Sequence, residues 1–355
     1  MDDPGVTGSR PAPSSARRSK RPTMQDVADH VGMSRVTVSL VLRNAPGPSA
    51  ETRERVVRAA QELGYHPDTA ASVLRRNRSR HLGVLFTMQH PFDVELVENI
   101  YSVAEQLGYT VVLGALLRTR NEQAAIHELL GYHSEALILI GGDADTRQLA
   151  TVISRVPIVE IGRKVNNPAI DVVRDDGARG VREAISHLIS LGHRDIVHVD
   201  GGALPAAPER RHGYQTAMRK RNLHEKIRIL PGDYTEESGV RAAQTLLAEE
   251  SLPTAIIAAN DECALGLIET LVRAGVDIPG DVSVIGYDDS RLARLPFLNL
   301  TTVKQDAARM AESAVHAATR RLEDETAAAR HIVLPPALIV RQTTGPVPSQ
   351  NVMTA

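Results

Sequence analysis

Residues 23–43, TMQDVADHVGMSRVTVSLVLR, decide how the chain begins to fold. Thr23 suits an N-cap, and Asp26, three residues on, favours the start of a helix. Val27, Ala28 and Val31 then recur at helical spacing, and Gly32 supplies the left-handed residue that ends a helix. Ser34 caps a second helix at once, with Val38, Val41 and Leu42 as its apolar stripe. Arg35, Val36, Ser39 and Leu40 fall on its other faces. Two short helices joined this tightly must cross steeply, and the small Ala28 lets them approach. The spacing fits a helix-turn-helix, whose second helix enters the DNA major groove. It also fits two packed helices of an ordinary bundle. In the first case Arg35 can pair with a guanine edge and Val36 can touch a thymine methyl. Thr37 and Ser39 then meet phosphate, which positions the protein without reading sequence.

Working outward, SAETRERVVRAAQELGY predicts a third helix from Ser49, with Val56, Ala59, Ala60 and Leu63 buried and Gly64 closing it. Pro67 breaks the chain before DTAASVLRRNRSR, where Asp68 can cap one or two helical turns. So short a helix is marginal alone. With Arg75, Arg76, Arg78 and Arg80 it suits folding against a polyanion, and it equally suits an exposed basic linker. Residues 1–22, rich in Pro, Gly, Ser and charge, predict a disordered tail. Charge sharpens the division. Through His81 there are 14 Lys/Arg against 8 Asp/Glu, and beyond it 27 against 35. A head of net +6 on a body of net −8 suggests that the head is what meets a polyanion.

The 355 residues allow two or three domains. With 3% aromatic content and no Trp, the core must be aliphatic. The single cysteine, Cys263, excludes a disulfide framework and a cysteine-rich zinc site, and fits a reducing cytoplasm. No apolar run reaches the length of a membrane span, and no apolar segment follows the basic N-terminus as in a secretory signal.

From Leu82 onward, short apolar runs alternate with helical patterns. VLF precedes a helix from Glu95 to Leu107, TVVLGALL precedes one from about Glu122 to Leu130, and ALILIGG, IVHVDGG, TAIIAAND and VSVIGYDD read as further strands. Such alternation predicts parallel sheets covered by helices. Ligands then gather at the carboxyl ends of the strands, where His90, Asp261 and Asp288 fall. Enzyme signatures are missing: there is no G-x-G-x-x-G after a strand, no P-loop and no G-x-S-x-G elbow. His187, His193 and His198 have no helical zinc spacing, and His193 is expected to begin a strand in a structural role. Cys263 lies on an apolar helix face with no base partner.

The segments DVADHVGMSRVTVSLVLR, SAETRERVVRAAQELGYHPD, AASVLRRNRS and HLGVLF, followed in order by LGYTVVL, GLIETLVRAGVDIPGDVSVIGYDD, LTTVKQD and LPPALIVRQTTGP, resemble the lactose-repressor and galactose-repressor family of bacterial regulators. The likeness covers roughly residues 23–345. It implies an all-α helix-turn-helix head and an α/β body of two Rossmann-like parallel-sheet lobes of the periplasmic sugar-binding-protein type. The expected boundaries are a head at 23–66, a hinge helix or linker at 67–81 and an effector-binding, dimerising body at 82–345. Crossings near Val173, Val303 and Leu334 would divide that body into a first lobe of 82–173 and 304–334 and a second of 174–303 and 335–345. A tail of 346–355 follows, and its lack of an apolar heptad predicts a homodimer.

The resemblance also implies a transcriptional repressor, not an enzyme, working in the bacterial cytoplasm at the nucleoid. Its partners would be a near-palindromic double-stranded operator, one half-site per head, and a small sugar-like effector, without membrane, metal or cofactor. Expected DNA contacts are Thr23, Ser34, Arg35, Val36, Thr37, Ser39, Leu40 and Arg53 in the head. Ala71, Leu74 and Arg75 would meet the minor groove, with Leu74 as a wedge at the central base step. Leu40 departs from the Arg common at its position, which leaves the outer half-site open. Expected effector contacts are His90, Phe92, Asp93, Gly162, Arg210, Tyr234, Asn260 and Asp288. Arg210 (in PERRHGY), Asn260 (in AANDE) and Asp288 (in GYDD) match ligand-binding positions, and Tyr234 matches a stacking aromatic. Asp93 departs from an aromatic, and Gly162 stands where sugar-responsive members carry an acid. Two alternatives share the body: an exported solute-binding protein, which would lack the head, and a regulator answering to a partner protein.

Overall fold

The computed structural model describes residues 22–43, 45–65, 78–117, 119–142 and 149–347, and the chain divides into two units, 1–78 and 79–355. The expected hinge contacts Ala71, Leu74 and Arg75 lie outside the described residues.

In the first unit, α1 (Met24–Val31), α2 (Arg35–Leu42) and α3 (Ala50–Glu62) each begin at the expected cap. Thr23 and Asp26 form a reciprocal capping box on α1, Ser34 Oγ accepts from Thr37 N at 3.1 Å, and Ser49 Oγ accepts from Thr52 N at 3.2 Å. Gly32 closes α1 at φ 66°, a conformation that costs any residue with a Cβ. The three helices share one small core of Val27, Ala28, Val38, Val41, Val56, Ala59, Ala60 and Tyr65. Leu42 and Leu63 only flank it, and Tyr65, just beyond α3, is buried in it.

The second unit holds two six-stranded sheets. The first comprises β1 (His81–Thr87), β2 (Thr110–Leu116), β3 (Ser134–Ile140), β4 (Ile158–Ile161), β5 (Ile170–Asp175) and β11 (His331–Leu334), ordered β11-β5-β4-β3-β1-β2 and parallel throughout. The second comprises β6 (Ile196–Val199), β7 (Arg228–Leu230), β8 (Ala255–Ile257), β9 (Ser283–Asp288), β10 (Thr302–Lys304) and β12 (Ala337–Ile339), ordered β12-β10-β9-β8-β6-β7, with only β12 antiparallel. Central strands read as unbroken apolar runs because helices cover both faces. Leu82, Val84 and Phe86 of β1 pack under α4 (Pro91–Gln106), whereas Leu85 faces α5 (Glu122–Gly131). A one-turn helix, α6 (Ala150–Ile153), follows on that side. The second sheet lies between α7 (Gly177–Ser190) with α8 (Ala207–Lys220) and α9 (Glu236–Leu247) with α10 (Asp261–Arg273). Finally α11 (Ala307–Glu323) returns to the first sheet.

Several boundaries shift from expectation. The crossings fall after Asp175, Lys304 and Leu334, since Asp175 still pairs with Leu334, and Lys304 with Asp288 and Ala337. Lys304 therefore belongs to the second lobe, and Arg174 and Asp175 to the first. At both helical crossings an Asp caps the next helix: Asp176 accepts from Arg179 N at 2.9 Å, and Asp306 from Arg309 N at 3.1 Å. The helix expected from Glu95 starts four residues earlier, because Pro91 sits at N1 with its missing N–H harmless and His90 at the cap. His193 does not begin a strand. It lies buried before β6, with Nε2 2.9 Å from Gly345 O and 3.1 Å from Ser283 Oγ.

Candidate ligand cleft and nucleic-acid interface

In the head, the turn that binds α1 to α2 leaves the start of α2 bare. Arg35 is exposed, and Val36 is 67% exposed, a position for an apolar side chain that the fold itself does not explain. Ser34 and Thr37 face each other across the helix start, their hydroxyls 3.0 Å apart. Ser39 and Leu40 are half-buried further along. Thr23 is exposed but tied into its capping box. Arg53, on α3, donates to the Ala45 carbonyl and so pins the segment that follows α2.

In the body, His90, Phe92, Asp93, Gly162, Arg210, Tyr234, Asn260 and Asp288 all line one cavity of about 570 Å³, at the carboxyl ends of both sheets. The volume lies within the usual ~300–1,000 Å³ of small-molecule sites. His90, Phe92 and Asp93 come from the start of α4, and Gly162 from the end of β4. Arg210 comes from α8, Tyr234 from the loop after β7, Asn260 from the cap of α10 and Asp288 from the end of β9. Both sheets have the doubly wound order in which the strand sequence reverses beside the first strand, and that reversal opens the crevice.

Arg210 anchors the polar end. It is 5% exposed, donates from Nη1 to Ala259 O at 2.8 Å and lies 3.7 Å from Asp288 Oδ1. Its guanidinium covers the Tyr287 ring at 3.5 Å. Burial opposes its charge, but Tyr234, Tyr287, Asp288 and Asp175 outweigh that and raise its pKa. Gly213, three residues on, explains the depth: a Cβ there would meet the Ala178 carbonyl at 2.6 Å, so only glycine lets α8 lie this close to α7. Asp288 accepts from Gln305 Nε2 at 2.7 Å, and burial pushes its carboxyl up to about 6 despite Arg210. Asn260 spends its Oδ1 on capping Cys263 N at 2.9 Å, which leaves Nδ2 as its group for the cavity.

Tyr234 is buried, with its hydroxyl donating to Pro205 O at 2.9 Å and its ring edge-on to His90. His90 Nδ1 lies 2.8 Å from Glu262 Oε2, an ion pair joining the lobes. Burial opposes the charged imidazole, but Glu262, Asp93 and Asp288 raise its pKa overall. Burial also raises Asp93, to about 7, against the pull of His90. Ala206, Tyr234 and Asp288 all hold positive φ, at 65°, 64° and 116°. Strain in non-glycine residues costs on the order of 1–3 kcal/mol each and gathers at functional sites.

Sequence reasoning missed Gln305, Glu122, Thr87, Ala206 and Gly141 as lining residues. Gln305 belongs to the quoted LTTVKQD segment and follows a strand, so that signal was present. Glu122 starts α5 on the far side of β2, and nothing local marks it. Asp261, expected at a strand end, turns away from the cavity to accept from Thr302 Oγ1 at 2.6 Å and Ser290 N at 2.8 Å. Among the described residues no helix is long and apolar enough to cross a membrane.

Comparison with known proteins matches both units. The pattern of bacterial regulatory proteins of the lacI family covers residues 23–68, and that of the periplasmic binding protein-like domain covers 185–344. The lactose operon repressor of Escherichia coli (strain K12) is 32% identical over 333 residues, 91% of this chain and 90% of its own. The structure of the lac repressor dimer bound to operator and the anti-inducer ONPF matches with a TM-score of 0.78 and 30% identity, over 92% of this chain and all of that one. A transcriptional regulator CelR–cellobiose complex matches with a TM-score of 0.67 and 29% identity, over 91% of this chain and 100% of its own. With its helix-turn-helix head, its two-lobed body and a relative this similar along nearly its whole length, the chain belongs to the lacI family of bacterial regulatory proteins and is a transcriptional regulator, not an enzyme.

Proposed function

We propose that the chain represses transcription as a homodimer on a near-palindromic operator, in the bacterial cytoplasm at the nucleoid, and that a small polyhydroxylated effector in the cleft sets its operator affinity. The convergence of eight residues from both lobes on one cavity carries this reading. Asp288 accepts effector hydroxyls, Arg210 and Asn260 Nδ2 donate, and Tyr234 and Phe92 cover an apolar face. The relatives that pair such a body with operator, anti-inducer or cellobiose support it. Arg35 and Val36 read bases from the start of α2. Thr23, Ser34, Thr37, Ser39 and Arg53 position the head on phosphate, with Leu40 beside the outer bases. The functional division is head 23–66, connecting segment 67–81 and body 82–345, with tails on either side.

The test is selection of bound sequences from a random duplex library at fixed salt, with and without a panel of mono- and disaccharides. A recovered palindrome supports dimeric reading. Release by one sugar marks an inducer, and retention only with one marks a corepressor. Enrichment of an asymmetric half-site alone removes the dimer, and a palindrome indifferent to every sugar removes the polyol effector.

A further inference from the structure

The start of α4 sets the problem. Both α1 and α4 carry an Asp at the third helical position. In α1 the carboxylate of Asp26 turns back onto its cap, 2.6 Å from Thr23 N and 2.7 Å from Thr23 Oγ1. In α4 the side chain of Asp93 makes no such bond. Only its backbone is engaged, with N donating to His90 O at 3.0 Å. The residue is 9% exposed, and what remains accessible opens onto the cavity it lines.

Its neighbours leave it no cation of its own. On its own helix, His90 is committed to Glu262 at 2.8 Å. From α10, Glu262 itself adds negative charge, and from β9 so does Asp288. Arg210, from α8, is held by Asp288 and the Ala259 carbonyl. The other lining carboxylates are provided for: Asp288 has Gln305, Asp233 has Arg241 at 3.2 Å, and Glu122 is engaged as well. Among the described lining residues, Asp93 is the carboxylate with neither hydrogen bond nor ion pair. A buried acceptor left without a donor costs free energy, and a buried charge without a partner costs more. An anionic ligand would add to the acid excess of this wall. A neutral polyol would supply a donor without charge. An ammonium supplies both.

Resting on the reading of this cleft as an effector site, we infer that the effector is an amine-bearing polyol, of the amino-sugar class, whose ammonium is received by Asp93 while its hydroxyls meet Asp288, Asn260 and Arg210. The ammonium enters as a counter-ion and no bond is formed or broken. Its arrival draws Asp93 down from about 7, so binding near neutrality releases a proton. Rising pH also removes the proton from His90 and with it a competing charge. Affinity for the amine therefore climbs between about pH 6 and 8, until the ligand's own ammonium titrates.

The experiment is isothermal titration calorimetry on the full chain with matched pairs: glucose and glucosamine, galactose and galactosamine, mannose and mannosamine. The expected result is one pair in which the amine binds at least about tenfold tighter. It should release protons, read from the dependence of the heat on buffer ionisation enthalpy. The isosteric D93N should equalise that pair and abolish proton release; its thermal melt verifies folding. A neutral sugar binding as tightly as its amine, or a preference that survives D93N, overturns the inference and leaves the effector reading standing. Silence from every sugar, neutral and amine alike, overturns both.

Discussion

The carboxyl of Asp93 shows what a single residue contributes by being badly accommodated. Its pKa in the fold is about 7 against an ordinary 3.8, so the folded state holds a proton that the unfolded chain has lost. With a raised pKa the sign is unambiguous: stability is highest below about pH 4, declines as pH rises towards about 7, and is level above that. Asp93→Asn is therefore expected to stabilise the body at pH 8, on the order of 2–4 kcal/mol at ~1.4 kcal/mol per pKa unit, and to flatten this part of the pH profile. Urea unfolding at several pH values reads both, and a destabilised variant would mean that Asp93 has a partner in the fold. Arg210 is the opposite case. Arg210→Met leaves Asp288 and Tyr287 without their cation, and breaking such a buried pair is expected to cost about 3–5 kcal/mol. An unchanged denaturation midpoint would show that Arg210 serves the ligand alone. All eight cleft residues could be named from the sequence, His90 and Asp288 from their places at strand ends and the other six through the family resemblance. What was not legible was their engagement: that Asn260 spends its oxygen on a cap, or that His90 reaches across to Glu262, depends on a second lobe that local sequence does not describe.

At the scale of elements, caps carried most of the information. Thr23, Ser34 and Ser49 begin their helices as the sequence indicates, and Gly32 ends α1 as it must. Boundaries were less legible where pairing, not composition, decides them. Asp175 and Lys304 are polar residues that remain in strands because their neighbours continue the ladder. The capping motif Asp-x-Ala-Arg at 176–179 and 306–309, repeated at the two helical crossings, was visible but carries no meaning until both sheets are known. Ser34 allows the fold and the DNA surface to be separated within one element. Ser34→Ala removes the oxygen that accepts from Thr37 N and is expected to destabilise the head by about 1 kcal/mol. Ser34→Asp keeps a good cap, so it should melt like the parent, yet it places a negative charge where phosphate is expected. Its operator affinity should fall at least about tenfold, an effect that shrinks as salt rises. If Ser34→Asp binds operator as the parent does, the start of α2 does not face the backbone.

For the whole molecule, the two units differ in charge, fold and ligand, and regulation consists of the free energy that links them. Three ion pairs span the cleft along α4: His90 with Glu262 at 2.8 Å, and Glu95 with Arg294 and Glu98 with Arg291 at 3.7 Å each. The latter two are largely solvent-exposed, so their contribution is small and screened. The first is half-shielded and titrates. A His whose folded pKa is raised contributes stability that is complete below about pH 6.5 and is lost as pH rises through the higher folded value. Lobe-to-lobe contact in the free protein should thus weaken above neutrality, leaving the effector to supply what the imidazolium supplied below it. Coupling between sites of this kind is typically ~1–3 kcal/mol, a factor of roughly 5–150. It must be reciprocal: whatever factor the effector imposes on operator affinity, operator must impose on effector affinity. Titrating effector into the free chain and into the chain saturated with operator, beside operator titrations with and without effector, closes that cycle. Equal factors, both larger at pH 8 than at pH 6, are expected from a cleft whose closure the ligand controls. Unequal factors would mean that a third species, such as a change of assembly state, enters the equilibrium. Equal factors independent of pH would detach the His90–Glu262 contact from the switch and leave the other cleft residues to carry it alone.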